Sequence, residues 1–190
     1  MKTAIILNGA PGAGKDTIGC ILADTYDHVA LRSFKAPMFE IARAILGETN
    51  YEYFMFLYED RSYKEEPASI LNGKSPRQFM IWISEEVIKP QFGNRFFGMR
   101  AESKVKESHS LSVFTDGGFK DEILQMIEGD IQVKLCRIHR NGCNFDNDSR
   151  DYIYLDDMIG VNGYQECDFF SVEGHPEITA QHIAATFINK

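Results

Sequence analysis

The chain has no long apolar run, no paired cysteines and no excess of basic residues, and each lack removes a class of function. A membrane-spanning helix needs about 20 consecutive apolar residues, and no stretch of this sequence approaches that length. The opening MKTAIIL sets Lys2 before an apolar run that stops at Asn8. That is short of the roughly 7–15 residues of a secretory h-region. A soluble, cytoplasmic protein with no membrane partner is expected. The 4 cysteines, Cys20, Cys136, Cys143 and Cys167, include no C-x-x-C pair. A structural zinc site needs closely spaced ligands, so reduced cytosolic thiols are expected instead. The formal net charge of −8 leaves no broad basic face for a polyanion, which argues against a nucleic-acid partner. A local cluster of cations could still hold a small phosphate. The 5 histidines (His28, His109, His139, His175, His182) lack the Cys or Ser and Asp partners of a nucleophilic triad and read as structural or surface residues. Repeats, linkers and low-complexity tracts are also missing.

What is present is 190 residues of ordinary globular composition, 44% hydrophobic and 25% charged, enough for one domain with a substantial core. TAIIL (Thr3 to Leu7) reads as a strand buried on both faces. A glycine loop follows, then Ile18, Ile21, Leu22 and Tyr26 at helical spacing, and a second strand in VALRSF. From Pro37 to His109 the pattern is mostly helical, with a helix stopped at Gly47 and another capped by Ser75-Pro76 and running to about Lys89. A further helix is read over Arg95 to Ser108. LSVFTDGG, VKLCRI and DFFSV read as the remaining strands, with helices near 119–128 and 176–189. Strands alternating with helices predict an α/β fold: a mostly five-stranded parallel sheet with helices on both faces, forming a three-layer sandwich. The core is expected at about 1–36 and 110–190, a helical insertion at about 37–109, and a polar lid at about 139–157. Ligands of such sheets bind beyond the carboxyl ends of the strands. Asn8, Asp116 and Arg140, each read as lying just past a strand, should therefore share one cleft.

NGAPGAGKDT (Asn8 to Thr17) nearly spells a phosphate-binding loop, G-x-x-x-x-G-K-[ST]. Gly9, Gly14 and Lys15 are in place, but Asp16 follows the lysine and the hydroxyl arrives one position late, at Thr17. Loop amides, a lysine charge and a helix N-terminus together suit an anion. The loop residues Gly9, Ala10, Pro11, Gly12, Ala13, Gly14, Lys15, Asp16 and Thr17 are accordingly the expected ATP contacts. Asp16 either complements the helix dipole or acts through a metal-bound water or a lid arginine. Asp116, ending an apolar strand, stands where an acid orients Mg²⁺ in phosphoryl-transfer enzymes, with Thr17 as its companion ligand.

GAPGAGKDT differs at one position from the GAPGAGKGT of adenylate-kinase-like nucleoside monophosphate kinases, whose hydroxyl likewise comes second after the lysine. The GKDT variant resembles that of the phage-type deoxynucleoside monophosphate kinases. SFKAPMFEIA, SPRQFMIWISEEVIKPQFGNRFF and TDGGFKDEILQM are similar to further segments of that family, so the resemblance covers most of the chain. It implies a P-loop kinase using ATP and Mg²⁺, with an acceptor-binding helical insertion. Lys15, Asp16, Arg140 and Arg150 become the catalytic candidates, the last within a lid element Ser149-Arg150-Asp151. Lys35, Arg77, Trp82, Phe97 and Lys120 become the acceptor-binding candidates, with Arg43 and Arg61 behind them. Aromatics at helical spacing, Phe34, Trp82, Phe96 and Phe97 among them, are more often core than base platforms. The family pattern, commonly D-x-R-F-x-x-E, places an arginine where this chain has Gly118, and Lys120 is the candidate substitute. Alternatives are a P-loop kinase for another small acceptor, such as a coenzyme precursor or phosphorylated metabolite, and an inactive nucleotide-binding member. A guanine-nucleotide switch is disfavoured because no N-K-x-D motif follows a strand. A monomer and a homodimer are both compatible with the sequence.

Overall fold

Alternation within each strand divides its side chains between two apolar layers. In β1 (Thr3–Gly9), Ala4 and Ile6 enter one buried cluster, Ile5 and Leu7 the other. The computed structural model, which describes residues 1–146, 148 and 150–189, continues that division through β3 (Leu111–Phe114) and β4 (Gln132–Arg140), while β2 (Val29–Arg32) and β5 (Gln165–Ser171) add buried side chains, Val29 and Phe169, to the second layer alone. These five strands form one sheet in the order β2-β3-β1-β4-β5, every pairing parallel. The apolar faces of α1 (Lys15–Thr25) and α7 (Pro176–Phe187) close one layer through Ile18, Leu22, Ala180 and Ile183. Ala101, Val105, Ile123 and Met126, from α5 (Phe96–Glu107) and α6 (Lys120–Glu128), close the other. The fold is therefore α/β, with a five-stranded parallel sheet between helices, as the alternation of elements predicts.

Two strands run further than their apolar cores suggest. Asn8 pairs with Arg137 inside β1 and Arg140 pairs with Ser171 inside β4, so neither lies beyond its strand. Backbone pairing with a neighbouring strand continues each of them where side-chain pattern alone would end it.

The chain divides into two compact units, residues 1–34 with the chain from Phe97 onward, and Lys35–Phe96. The second unit is helical. It holds α2 (Ala36–Glu59), α3 (Pro76–Trp82), a π-helical turn over Ile83–Ile88 and α4 (Lys89–Phe92). Gly47, read as a stop, is a break within α2: it leaves helical geometry at φ 71°, ψ 165°, and the helix resumes through the aromatic stretch to Glu59. Tyr51, Phe54 and Leu57 are buried there. Packing of those rings supplies what their middling helix propensity does not. Ser75 does cap α3, in a reciprocal box with Gln78: Gln78 N–H donates to Ser75 Oγ at 3.2 Å, and Ser75 N–H donates to Gln78 Oε1 at 3.0 Å. Among the described residues, no helix is long and apolar enough to cross a membrane.

Candidate functional site

The glycine loop leaves the carboxyl end of the central strand and enters α1. Gly12 (φ 80°) and Gly14 (φ 90°) take left-handed backbone, a conformation that favours glycine. Ala13 N–H closes the turn onto Ala10 O at 3.1 Å. Lys15 folds back over the loop, its Nζ donating to the carbonyls of Gly9 (2.7 Å) and Ala10 (3.0 Å). Asp16 and Thr17 are exposed on the first helical turn, and Ala10 and Ala13 are buried.

Two carboxylates are fixed at the adjoining strand end. Asp116 accepts from Ser33 Oγ at 2.6 Å and from the Phe34 N–H at 3.0 Å. Its neighbour Thr115 donates to Asp16 Oδ1 at 2.6 Å, tying the start of α1 to the end of β3. The donor set suits Mg²⁺, which takes one or two carboxylates together with phosphate oxygens and water. No group of three His, Cys, Asp or Glu side chains that could cage an ion occurs among the described residues. Asp116, with the Thr17 hydroxyl, are the residues that would hold it.

Asn8 organises this end from below. Fully buried, it donates to Gly117 O and Asp151 O, both at 3.2 Å, and accepts from Ile153 N–H at 3.0 Å. One side chain thus joins β1, the turn after β3 and the polar segment after β4.

The arginines of that segment separate into two kinds. Arg137 is buried, with Nε and Nη2 donating to Asp168 at 2.9 and 2.8 Å and Nη1 lying 2.8 Å from Glu166. Hydrogen bonding to Asp168 raises its pKa, and Asp168 is held down at about 2, chiefly by Arg137, then by His139. This cation is fully engaged and stands apart from the loop's chemistry. Arg140 instead reaches the glycine loop, donating to Gly12 O at 3.0 Å and pairing with Glu173 at 3.1 Å. Arg150 makes a two-pronged pair with Asp148, at 2.8 and 2.7 Å. Its stem crosses Gly118: a Cβ there would sit 2.5 Å from Arg150 Cδ and 3.1 Å from Cγ. Gly118 does not take positive φ, so its bareness serves the arginine's stem rather than the backbone. Ser149 of the expected lid element lies outside the described residues. Lys120 is exposed at the start of α6, and Phe97 is 3% exposed, leaving little of its ring for a ligand.

In the helical unit, Arg77 is exposed and its Nε donates to Glu65 at 2.5 Å, while Lys35 precedes the first turn of α2. Trp82 stacks on Phe79 with centroids 5.6 Å apart. The pair borders a cavity of about 290 Å³ together with Ile45, Asn50, Leu71 and Lys74. The structure thus gathers Lys15, Asp16, Thr17, Asp116, Arg140 and Arg150 around one end of the sheet unit, and sets Lys35, Arg77 and Trp82 in the helical unit. Sequence reading missed Ser33, Thr115 and Asp148, which hold the site's charged groups. Ser33 and Thr115 are ordinary polar residues whose partners are known only once the strands are aligned, whereas Asp148 stands two residues from its own.

No family model matches the chain, and no curated protein matches it. Among solved structures, a sugar kinase from Janibacter sp. HTCC2649 is 14% identical, over 97% of this chain and 94% of that one, with a TM-score of 0.44. The tunicamycin resistance protein of Deinococcus radiodurans is 12% identical, over 100% and 98%, with a TM-score of 0.46. A shikimate kinase from Bacteroides thetaiotaomicron is 14% identical, over 98% of each chain, with a TM-score of 0.44.

Proposed function

We propose that this chain is an ATP-dependent phosphotransferase, a phage-type nucleoside monophosphate kinase that converts ATP and a deoxynucleoside monophosphate to ADP and the deoxynucleoside diphosphate. The observation that carries the reading is the glycine loop with Lys15 folded over it, beside an acid, Asp116, held at the end of the next strand. A loop of inward amides, a lysine and a helix N-terminus is a triphosphate cradle. The choice of a nucleotide acceptor rests on the family resemblance of the sequence.

The acceptor needs no protein base. Its phosphate has a second pKa of about 6, so the attacking oxygen is already largely anionic at neutral pH. The barrier is repulsion between anions and the charge spread over the transferring group. Lys15 and the amides from Gly9 to Thr17 bind and align the ATP phosphates. Arg140 and Arg150 are assigned the transferring phosphoryl group, and Lys35, Arg77, Trp82 and Lys120 the acceptor. Mg²⁺, when bound through Asp116 and Thr17, supplies charge neutralisation on the phosphate oxygens. Asp16, bonded to Thr115, positions the first turn of α1 against the strand end that carries Asp116. Closure of the polar segment excludes water and limits ATP hydrolysis. The expected partners are these small molecules, in a cytoplasmic setting.

The test is ADP release from ATP and Mg²⁺ with dAMP, dGMP, dCMP, dTMP and their ribose counterparts added singly. Stimulation by one or a few deoxynucleotides is expected. Bound ATP with no stimulation by any of them refutes the nucleotide acceptor and turns the search to other phosphorylated metabolites.

A further inference from the structure

The cavity of the helical unit lies where two backbone irregularities face each other. α2 breaks at Gly47, and the lining residues Leu46 and Asn50 stand on either side of the break. A Cβ at Gly47 would meet nothing within 4 Å. The glycine therefore serves the left-handed backbone of the break (φ 71°), not close packing. The other wall is a closed turn over residues 68–74. Ala68 N–H donates to Lys74 O at 3.1 Å, Gly73 N–H to Ala68 O at 3.2 Å, and Lys74 N–H to Leu71 O at 3.2 Å. Asn72 and Gly73 both take positive φ and bring the chain round to the Ser75 cap of α3. Main-chain bonds thus hold this wall, and the cavity is preformed.

Its chemistry is divided. Leu46, Ile70, Leu71 and Phe79 make it mostly apolar, and the stacked Phe79–Trp82 pair, with 24° between the rings, gives it a flat aromatic side. An apolar cavity of roughly 150 Å³ takes a benzene ring, so one of about 290 Å³ has room for two fused rings. Lys74 borders the same space, half-buried, with its ammonium 5.8 Å from the centre of the Trp82 ring. Arg43, Arg77 and Lys89 of this unit each pair with a glutamate. Among the described residues no carboxylate pairs with Lys74. An ammonium beside an aromatic wall, without an anion of its own, is complementary to a ligand that brings one. The amide of Asn50 donates to Leu46 O at 3.2 Å, which leaves its Oδ1 to accept from that ligand.

We propose that this cavity is a binding site for a small aromatic carboxylate, its rings against Trp82 and its carboxylate paired with Lys74. Of the residues assigned to the acceptor in the helical unit, Trp82 borders the cavity and Lys35 and Arg77 do not. The α2 wall begins at Ile45, about 13 Å along the helix from its first residue. The occupant is therefore a second ligand, separate from the phosphate acceptor, and the inference does not depend on the kinase reading.

The chain has 1 tryptophan, so the indole N–H signal of a proton–nitrogen correlation spectrum reports Trp82 alone. The probe is 2-naphthoate, added to the full chain without nucleotide. A saturable shift of the indole signal is expected, and the neutral isostere 2-naphthamide should bind about tenfold more weakly. Lys74→Met should erase that difference by weakening the acid to the level of the amide, with the amide's own affinity and the melting temperature as in the parent chain. An indole signal that 2-naphthoate leaves in place overturns the inference, and so does equal binding of acid and amide by the parent chain. Displacement of 2-naphthoate by dAMP, dGMP, dCMP or dTMP also overturns it, because the cavity then belongs to the acceptor. A shift in a chain that turns over no nucleotide supports the site and counts against the kinase reading alone.

Discussion

The glycine-loop end of the sheet unit and the turn around Lys64 in the helical unit each hold a cation in place, but by opposite means. At the loop, backbone does the positioning: two left-handed glycines, a strand end and a helix start, with Lys15 bonded to main-chain carbonyls. In the helical unit, side chains do it, through an aromatic platform under Lys64 and a capped, docked helix under Arg77. A backbone site is local in sequence and tolerates substitution around it. A side-chain site depends on packing at a distance and fails when that packing moves.

The strongest way to break the contrast is Lys15→Met. It should lower ADP release about 10²–10³-fold, the range for losing one preorganised charged donor, with the melting temperature unchanged because the loop's backbone remains. Asn8→Leu attacks the same end through its support. Orphaning the buried Gly117 carbonyl and Ile153 N–H should cost about 3 kcal/mol in denaturant unfolding, and turnover should fall with it as the polar segment loses its anchor. Ser75→Ala addresses the helical unit alone. Loss of the capping box should cost about 1 kcal/mol in denaturant unfolding, leaving ATP affinity as in the parent chain.

The smallest effect concerns Asp168 and sharpens the distinction between a cation that is engaged and one that serves the loop. Its folded pKa of about 2 lies below the ordinary value near 3.8. The stabilisation from Arg137 is therefore complete above about pH 4 and is lost as pH falls toward 2. Melting curves across that interval should show the parent chain losing stability more steeply than Asp168→Asn, while turnover near neutral pH is the same in both.

These differences also explain what could be read in advance. The loop, its flanking strand and helix, and the order of alternating elements are local patterns, so the sheet followed from the sequence. The Ser75 cap was legible for the same reason, being a signal of a few residues. Helix from Tyr51 to Glu59 was not, because Tyr and Phe have no strong helical preference and gain it from the rings they meet. Asp116 was visible as an acid at a strand end, but Ser33, 83 residues away, was not visible as its partner. Lys64 was hidden most completely. In EDRSYKEE it reads as one more solvated charge, and only the fold brings Tyr58, Lys35 and Arg77 to it.

Gly118 and Arg150 share a single seat. With the arginine's stem lying across the glycine, a side chain at 118 and a long residue at 150 exclude each other in this arrangement. A side chain grown at 118 would push that stem aside and with it the guanidinium that faces Asp148, so the bareness of one position sets where the charge of the other can stand.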